Sequence, residues 1–297
     1  MGYIFLMISL FAGTLKGYCG KKTSSYTVSI GNAIFANTIR MILCILIGFL
    51  LIFATEDLRI LIPSRTLLLI SALSGISSAV FVVTWLISVK KSAYMMLDIF
   101  LMLGVLIPLS ASSLFFSESI KPTQWLGIIV LFIAVVIMCA YNNDIKTKLT
   151  FPALILLLIC GIANGFADFS QKLFVKALNG IPVELFNFYT YLFSLIALLA
   201  FCVLSPAEQT LSFLPKKEKK KVLIYVLIMS VFMFLNTYFK TRAAVYLDSV
   251  ILYPLHQGGS LLLSSFMSAV LFGEKITPRA LTGIMLAFIS LIIINVL

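Results

Sequence analysis

Few side chains in this sequence could do chemistry, and most of them sit inside long apolar runs. Tyr253-Pro254-Leu255-His256-Gln257-Gly258-Gly259-Ser260 holds the single histidine beside an amide and a hydroxyl. An imidazole can carry a proton near neutrality, and a glutamine can both donate and accept hydrogen bonds. Pro254 cannot donate to Val250, and two adjacent glycines weaken a helix further, so the stretch is expected to kink or unwind. The competing reading is a plain proline kink with His256 hydrogen-bonded to a neighbouring helix. Lys16, Arg40, Asp98 and Asp168 place charge within other apolar runs. If lipid surrounds those runs, each charge costs about 2.5–3.5 kcal/mol at a helix centre and asks for a partner or a cavity.

Each of these charges has a modest reading beside the functional one. Lys16 either snorkels to the headgroups or faces a cavity. Arg40 lies about twelve residues inside its run, too deep to reach water on the lipid side; it is a solute ligand or a clamp on backbone carbonyls. Asp168 and Lys172 stand four apart on one helical face and can pair. Asp98 and Asp248 come early in their helices, where a carboxylate commonly does no more than compensate the helix dipole. The substrate-binding candidates are His256, Gln257, Arg40, Lys16, Asn164 and Asp168, with Trp85, Tyr189, Tyr191, Asn236 and Tyr238 filling out the lining. Candidates for proton coupling are His256, Asp98 and Asp168. No residue is assigned as catalytic.

The elements that must position these residues follow from composition. Hydrophobic residues make up 61% of the 297 and charged ones 11%. A soluble domain carries about 25% charged residues, so this chain must be solvated by lipid. The net charge of +11 does not point to nucleic acid. Its lysines and arginines lie mostly in short breaks between apolar runs, as membrane-anchoring loops do. The five cysteines are scattered without a CxxC, and one histidine cannot build a multi-His site, so neither disulfide framework nor metal is expected. No cofactor is expected either. A crossing takes roughly 20 apolar residues, and ten runs qualify: 2–18, 29–53, 66–89, 94–116, 124–141, 151–172, 183–204, 222–239, 245–272 and 280–297. Between them the longest polar stretch is 205–221, which leaves no room for a soluble domain.

The runs are used twice. Glu274 is followed by Ile276, Pro278 and Gly283; Glu118 is followed at the same intervals by Ile120, Pro122 and Gly127. Pro at a helix start loses no hydrogen bond, and Glu before it suits the positive helix end. Both glutamates are therefore read as structural. Gly13-x-x-x-Gly17 is matched by Gly161-x-x-x-Gly165, spacings that let helices approach closely. Lys90 and Asp98 match Lys240 and Asp248 at an offset of 150. From Asp248 to Glu274 is 26 residues but from Asp98 to Glu118 only 20, so the ninth run carries an insertion beside Pro254 and His256. Five runs per copy is an odd number, so the second copy enters the membrane upside down. Such inverted repeats are a transporter architecture with the solute near the midplane.

Ten runs, a five-plus-five duplication and a Gly-Glu followed by Pro and Gly resemble the drug/metabolite transporter superfamily, EamA type. The likeness covers nearly the whole chain; the second copy matches better, the first having Ser117 where Gly is usual. The resemblance implies helices 1–4 and 6–9 around a central cavity, helices 5 and 10 outside, and export or exchange of small metabolites or amino acids. The expected fold is all-α and polytopic: ten transmembrane helices in two inverted five-helix repeats, 1–146 and 147–297. The expected function is secondary transport of a small polar solute by alternating access, in a bacterial plasma membrane, by a monomer or homodimer whose other partner is the lipid bilayer. Two other classes stay open on sequence: a membrane enzyme acting on a lipid-linked substrate, and a lipid-flipping or scaffold protein. Against the enzyme, no Asp-rich cluster, HExxH or glycine-rich phosphate loop occurs.

Overall fold

The computed structural model describes residues 1–27, 29–56, 58–91, 94–118, 120–140, 150–204, 216–273 and 277–296. Glu274 lies outside them. The described residues form α1 (Gly2–Ser24), α2 (Ile30–Thr55), a 3₁₀ turn (Leu58–Leu61), α3 (Arg65–Lys91), α4 (Tyr94–Gly104), α5 (Leu106–Phe116), α6 (Pro122–Ala140), α7 (Phe151–Ala177), α8 (Val183–Leu204), α9 (Lys216–Tyr246), α10 (Ser249–Phe272) and α11 (Pro278–Val296). The protein is an all-α, multi-pass membrane protein. Seven of these helices are long and apolar enough to cross a bilayer unaided. The others, α4 with α5, α6 and α11, are the fourth, fifth and tenth apolar runs. At 19 residues each, α6 and α11 reach about 28 Å. Large apolar side chains such as Leu50, Phe53, Leu69 and Met285 face outward, as lipid solvation requires.

The fourth run is broken, and the ninth is not. Pro108 cannot donate to the carbonyl of Gly104, four residues back, and its ring crowds that carbonyl. The chain answers with a tighter turn in which Val105 N–H donates to Met102 O (3.1 Å) before α5 resumes. The unwinding allowed for at Pro254 does not occur: α10 stays helical from Ser249 to Phe272 with the proline inside it. Pro254 deprives only Val250, in the first turn, of a donor. Met102, Val105 and Pro254 border the same small apolar gap, so the broken helix and the proline face one another.

Glycines set the closest approaches. A Cβ on Gly161 would overlap the Phe100 carbonyl, one on Gly104 the Gly161 carbonyl, and one on Gly165 the Gly104 carbonyl. α4 and α7 therefore pack backbone to backbone. A Cβ on Gly127 would press on Ile294 and on the Ser290 carbonyl, while Ser290 Oγ donates to Gly127 O at 2.7 Å. This joins α6 to α11. Both helices stand away from the polar interior described below. The most extensive packing is α1 on α9, followed by α6 on α11 and α3 on α7; α8 lies against α2 and α3, and α4 against α10.

The two glutamate-proline turns begin alike. Ser117 caps α5 at φ 54° and Gly273 caps α10 at φ 64°, both left-handed. In each, the cap N–H reaches back to a serine carbonyl, Ser112 O or Ser268 O. The backbone wants glycine at both places; Ser117 adopts the conformation without one.

Candidate functional site

Six helices, α1, α3, α4, α7, α9 and α10, enclose a polar cavity of about 70 Å³. That is room for a few waters or a very small solute. Its wall carries eight of the residues singled out in the sequence: Lys16, Trp85, Asp98, Asn164, Asp168, Asn236, His256 and Gln257. It also carries Ser78, Gln171, Thr237, Lys240 and Ser260. Runs separated by up to 247 residues in sequence meet here through hydrogen bonds.

One wall is a network across α1, α9 and α10. Asn236 Nδ2 donates to Ser9 O (2.8 Å) and lies 3.3 Å from His256 Nε2. Ser9 Oγ donates to Asn236 O at 2.8 Å. His256 Nε2 also lies 3.2 Å from Ser9 Oγ, so it accepts from the amide in one tautomer and donates to the hydroxyl in the other. Nδ1 itself has no hydrogen-bond partner among the described residues. Lys16 points inward, its Nζ 3.4 Å from Asn236 Oδ1 and over the Phe81 ring at 5.9 Å. It does not snorkel.

The opposite wall is α7 against α9. Asp168 Oδ1 accepts from Lys240 Nζ at 2.5 Å, and both side chains are buried. The pairing of Asp168 with Lys172, expected from their i,i+4 spacing, does not form. Lys172 instead reaches Glu118 (3.1 Å), Ala244 O in the last turn of α9 (3.4 Å) and Leu247 O just beyond it (2.8 Å). Helical spacing puts Asp168 and Lys172 on one face, but that face meets different neighbours at each level. Tyr253 OH donates to Asp168 O (2.7 Å), fixing α10 to this wall. Asn164 Nδ2, Asp168 Oδ2 and Gln171 Oε1 are buried with no hydrogen-bond partner among the described residues.

Four candidates lie elsewhere. Arg40, on α2, is buried behind the cavity; its Nη1 donates to Asn37 Oδ1 (2.5 Å) and its Nη2 lies 2.8 Å from Met233 Sδ. Tyr191 OH donates to Met233 O at 3.5 Å, and Tyr189 OH to Leu61 O at 2.6 Å. Tyr238 OH donates to Glu184 Oε1 (2.6 Å), which also holds Arg242 (2.9 Å) at the end of α9. The reason is shared: α2 and α8 pack behind the helices that enclose the cavity, and the Tyr238 side chain turns toward α8.

Asp98, buried at 4% exposure, lines the cavity from the fifth position of α4, whereas its counterpart Asp248 is the exposed N-cap of α10. Dipole compensation thus describes Asp248 alone. Glu118 does more than separate two helices. Its carboxylate takes the Ser249 N–H at the start of α10 (3.0 Å) and both Lys172 and Lys176 (3.1 and 3.4 Å). Burial pushes this carboxyl up, but the Ser249 hydrogen bond and the Lys172 charge together outweigh it, and it sits below the ordinary glutamate range. The main residue the sequence reading missed is Lys240, and its repetition of Lys90 was the available signal. Among the described residues no group of three or more His, Cys, Asp or Glu could hold a metal.

The profile of the EamA-like transporter family matches residues 151–296, α7 to α11. Those residues are an EamA-like transporter domain. That domain is consistent with the drug/metabolite transporter superfamily. The EamA-like domain supplies Asn164, Asp168, Asn236, Lys240, His256 and Gln257 to the cavity. A comparison with curated proteins gives no significant match. Among solved structures, one described only as a crystal structure of a protein has a TM-score of 0.71 at 10% identity, over 99% of this chain and 96% of its own. The fold match therefore extends through α1 to α6, which the family profile does not reach.

Proposed function

We propose that the protein is a secondary transporter that moves a small polar metabolite, an amino acid or small organic ion, across a bacterial plasma membrane. One observation carries this reading. His256 Nδ1, Asn164 Nδ2, Asp168 Oδ2 and Gln171 Oε1 belong to residues that line one cavity inside the bilayer, and none has a hydrogen-bond partner among the described residues. Buried polar groups are almost always satisfied, so donors and acceptors left over at one place suit a polar guest. Transport would proceed by alternating access between two inverted halves, 1–146 and 147–297. The packing supports such an exchange. Replacing each helix by its counterpart turns α1 on α9 into α7 on α3, and α3 on α8 into α9 on α2, and all four pairings occur. The cavity-lining helices also fall into counterpart pairs: α1 with α7, α3 with α9, α4 with α10.

Counterflow in liposomes tests the proposal. A panel of metabolites is first screened for thermal stabilisation, since a ligand of the folded state raises its melting temperature. Entrapped solute should then accelerate uptake of the labelled one. His256→Ala and Gln257→Ala should lose this while still reaching the membrane. Unchanged uptake kinetics in both variants would remove the cavity from the mechanism.

A further inference from the structure

Among the described residues, Arg40 is the one deeply buried cation near the cavity whose partners do not match its chemistry. It is 2% exposed in the middle of α2. Asn37 Oδ1 takes Nη1, and Asn37 is held in place because its Nδ2 donates to Ala33 O and Val82 O (2.8 and 3.1 Å). Nη2 is left with the Met233 thioether, a weak acceptor. Nε has no hydrogen-bond partner, and no carboxylate pairs with Arg40 among the described residues. Met233 also lines the cavity, so a single flexible side chain separates the guanidinium from it. Lys240 is matched by the Asp168 carboxylate at 2.5 Å, whereas Arg40 faces no such group among the described residues. An unmatched charge at this depth is costly.

Resting on the transporter reading above, we infer that Arg40 is a covered receptor for the carboxylate of an anionic solute, with Met233 as its cover. The solute brings the negative charge that the guanidinium lacks. Its carboxylate replaces the thioether on the guanidinium fork, which offers two parallel N–H donors to a carboxylate. The rest of the solute lies in the cavity against the polar wall.

The test uses purified full-length protein in detergent, melted in sodium acetate, in acetamide, and in sodium chloride at matched ionic strength. Acetate and acetamide share a shape and differ in charge. Acetate should raise the melting temperature saturably, acetamide should not, and chloride should do less. Arg40→Gln should weaken the acetate response roughly tenfold or more. Met233→Ala should strengthen it, because the competing thioether is gone. An equal response to acetamide or chloride, an acetate response undiminished in Arg40→Gln, or a weaker one in Met233→Ala would overturn the inference. Should Arg40→Gln not fold, Met233→Ala decides alone. Failure of this inference is separable from failure of the transport reading. Counterflow of a neutral solute without acetate binding sinks only the former. Acetate binding without counterflow of any solute sinks only the latter.

Discussion

Replacing Asp168 by Asn tests the energetics of the cavity most directly. The change keeps shape and leaves an amide oxygen near Lys240 Nζ, now 2.5 Å from Asp168 Oδ1. It removes the only charge paired, among the described residues, with a lysine whose side chain is 8% exposed. The Tyr253 bond uses the Asp168 backbone oxygen and survives. Breaking one side of a buried pair typically costs ~3–5 kcal/mol, because the other charge stays buried and unpaired. The retained hydrogen bond puts Asp168→Asn near the lower end, about 3 kcal/mol. Lys240→Met should cost a similar amount, leaving the carboxylate. The double variant has no unpaired charge and should recover much of the loss, a coupling of roughly 2–3 kcal/mol. Equilibrium unfolding in mixed micelles measures all four species. Single variants within about 0.5 kcal/mol of the parent, or losses that simply add in the double variant, would refute the reasoning. Counterflow then separates stability from function: on the transport proposal the double variant should be folded and inactive, since Asp168 and Lys240 both line the cavity.

Other perturbations isolate single features. Ser117→Gly should stabilise by about 1 kcal/mol and Gly273→Ala destabilise by about as much, because only backbone strain changes at a left-handed cap and Gly273 has open space for a Cβ; melting temperatures report both. Gly165→Ala should cost about 1–3 kcal/mol in the same assay, since the added Cβ meets the Gly104 carbonyl and backbone cannot swing away. Glu118, held below its ordinary pKa, stabilises the fold fully above the unfolded value near 4.5 and loses that contribution as pH falls through its folded value. Stability should therefore drop more steeply below pH 4.5 in the parent than in Glu118→Gln, as pH-dependent melting will show.

The membrane class and the helices were legible because both are written in local composition. Apolar runs of the right length can only be spans, and the repeated Glu, Ile, Pro and Gly spacing marks corresponding turns. The cavity was legible in part, because charge inside an apolar run demands a polar neighbour wherever it lies. Lys16, Asp98 and Asp168 met that demand at the cavity. Partners were not legible. Asp168 had Lys172 at helical spacing, yet it pairs with Lys240, 72 residues away. The break in the fourth span was legible in Pro108 and Gly104, but the weight of Pro254 and its two glycines drew attention to the ninth.

The duplication itself explains where sequence comparison of the halves stops helping. At the two glutamate-proline turns the backbones match: Ser117 and Gly273 share one conformation with different side chains. The charges follow no such rule. Lys16 has Asn164 as its counterpart; both line the cavity, yet only one is charged. Lys240 is buried on Asp168, while its counterpart Lys90 is exposed and bonds the Thr27 carbonyl. Asp98 lines the cavity, while Asp248 is an exposed cap. A symmetric scaffold carrying an asymmetric charge set presents one particular polarity to its guest. On the transport proposal, the positions where the halves disagree are therefore the ones to exchange when testing which solute is accepted, and the positions where they agree are the ones to keep because they hold the helices.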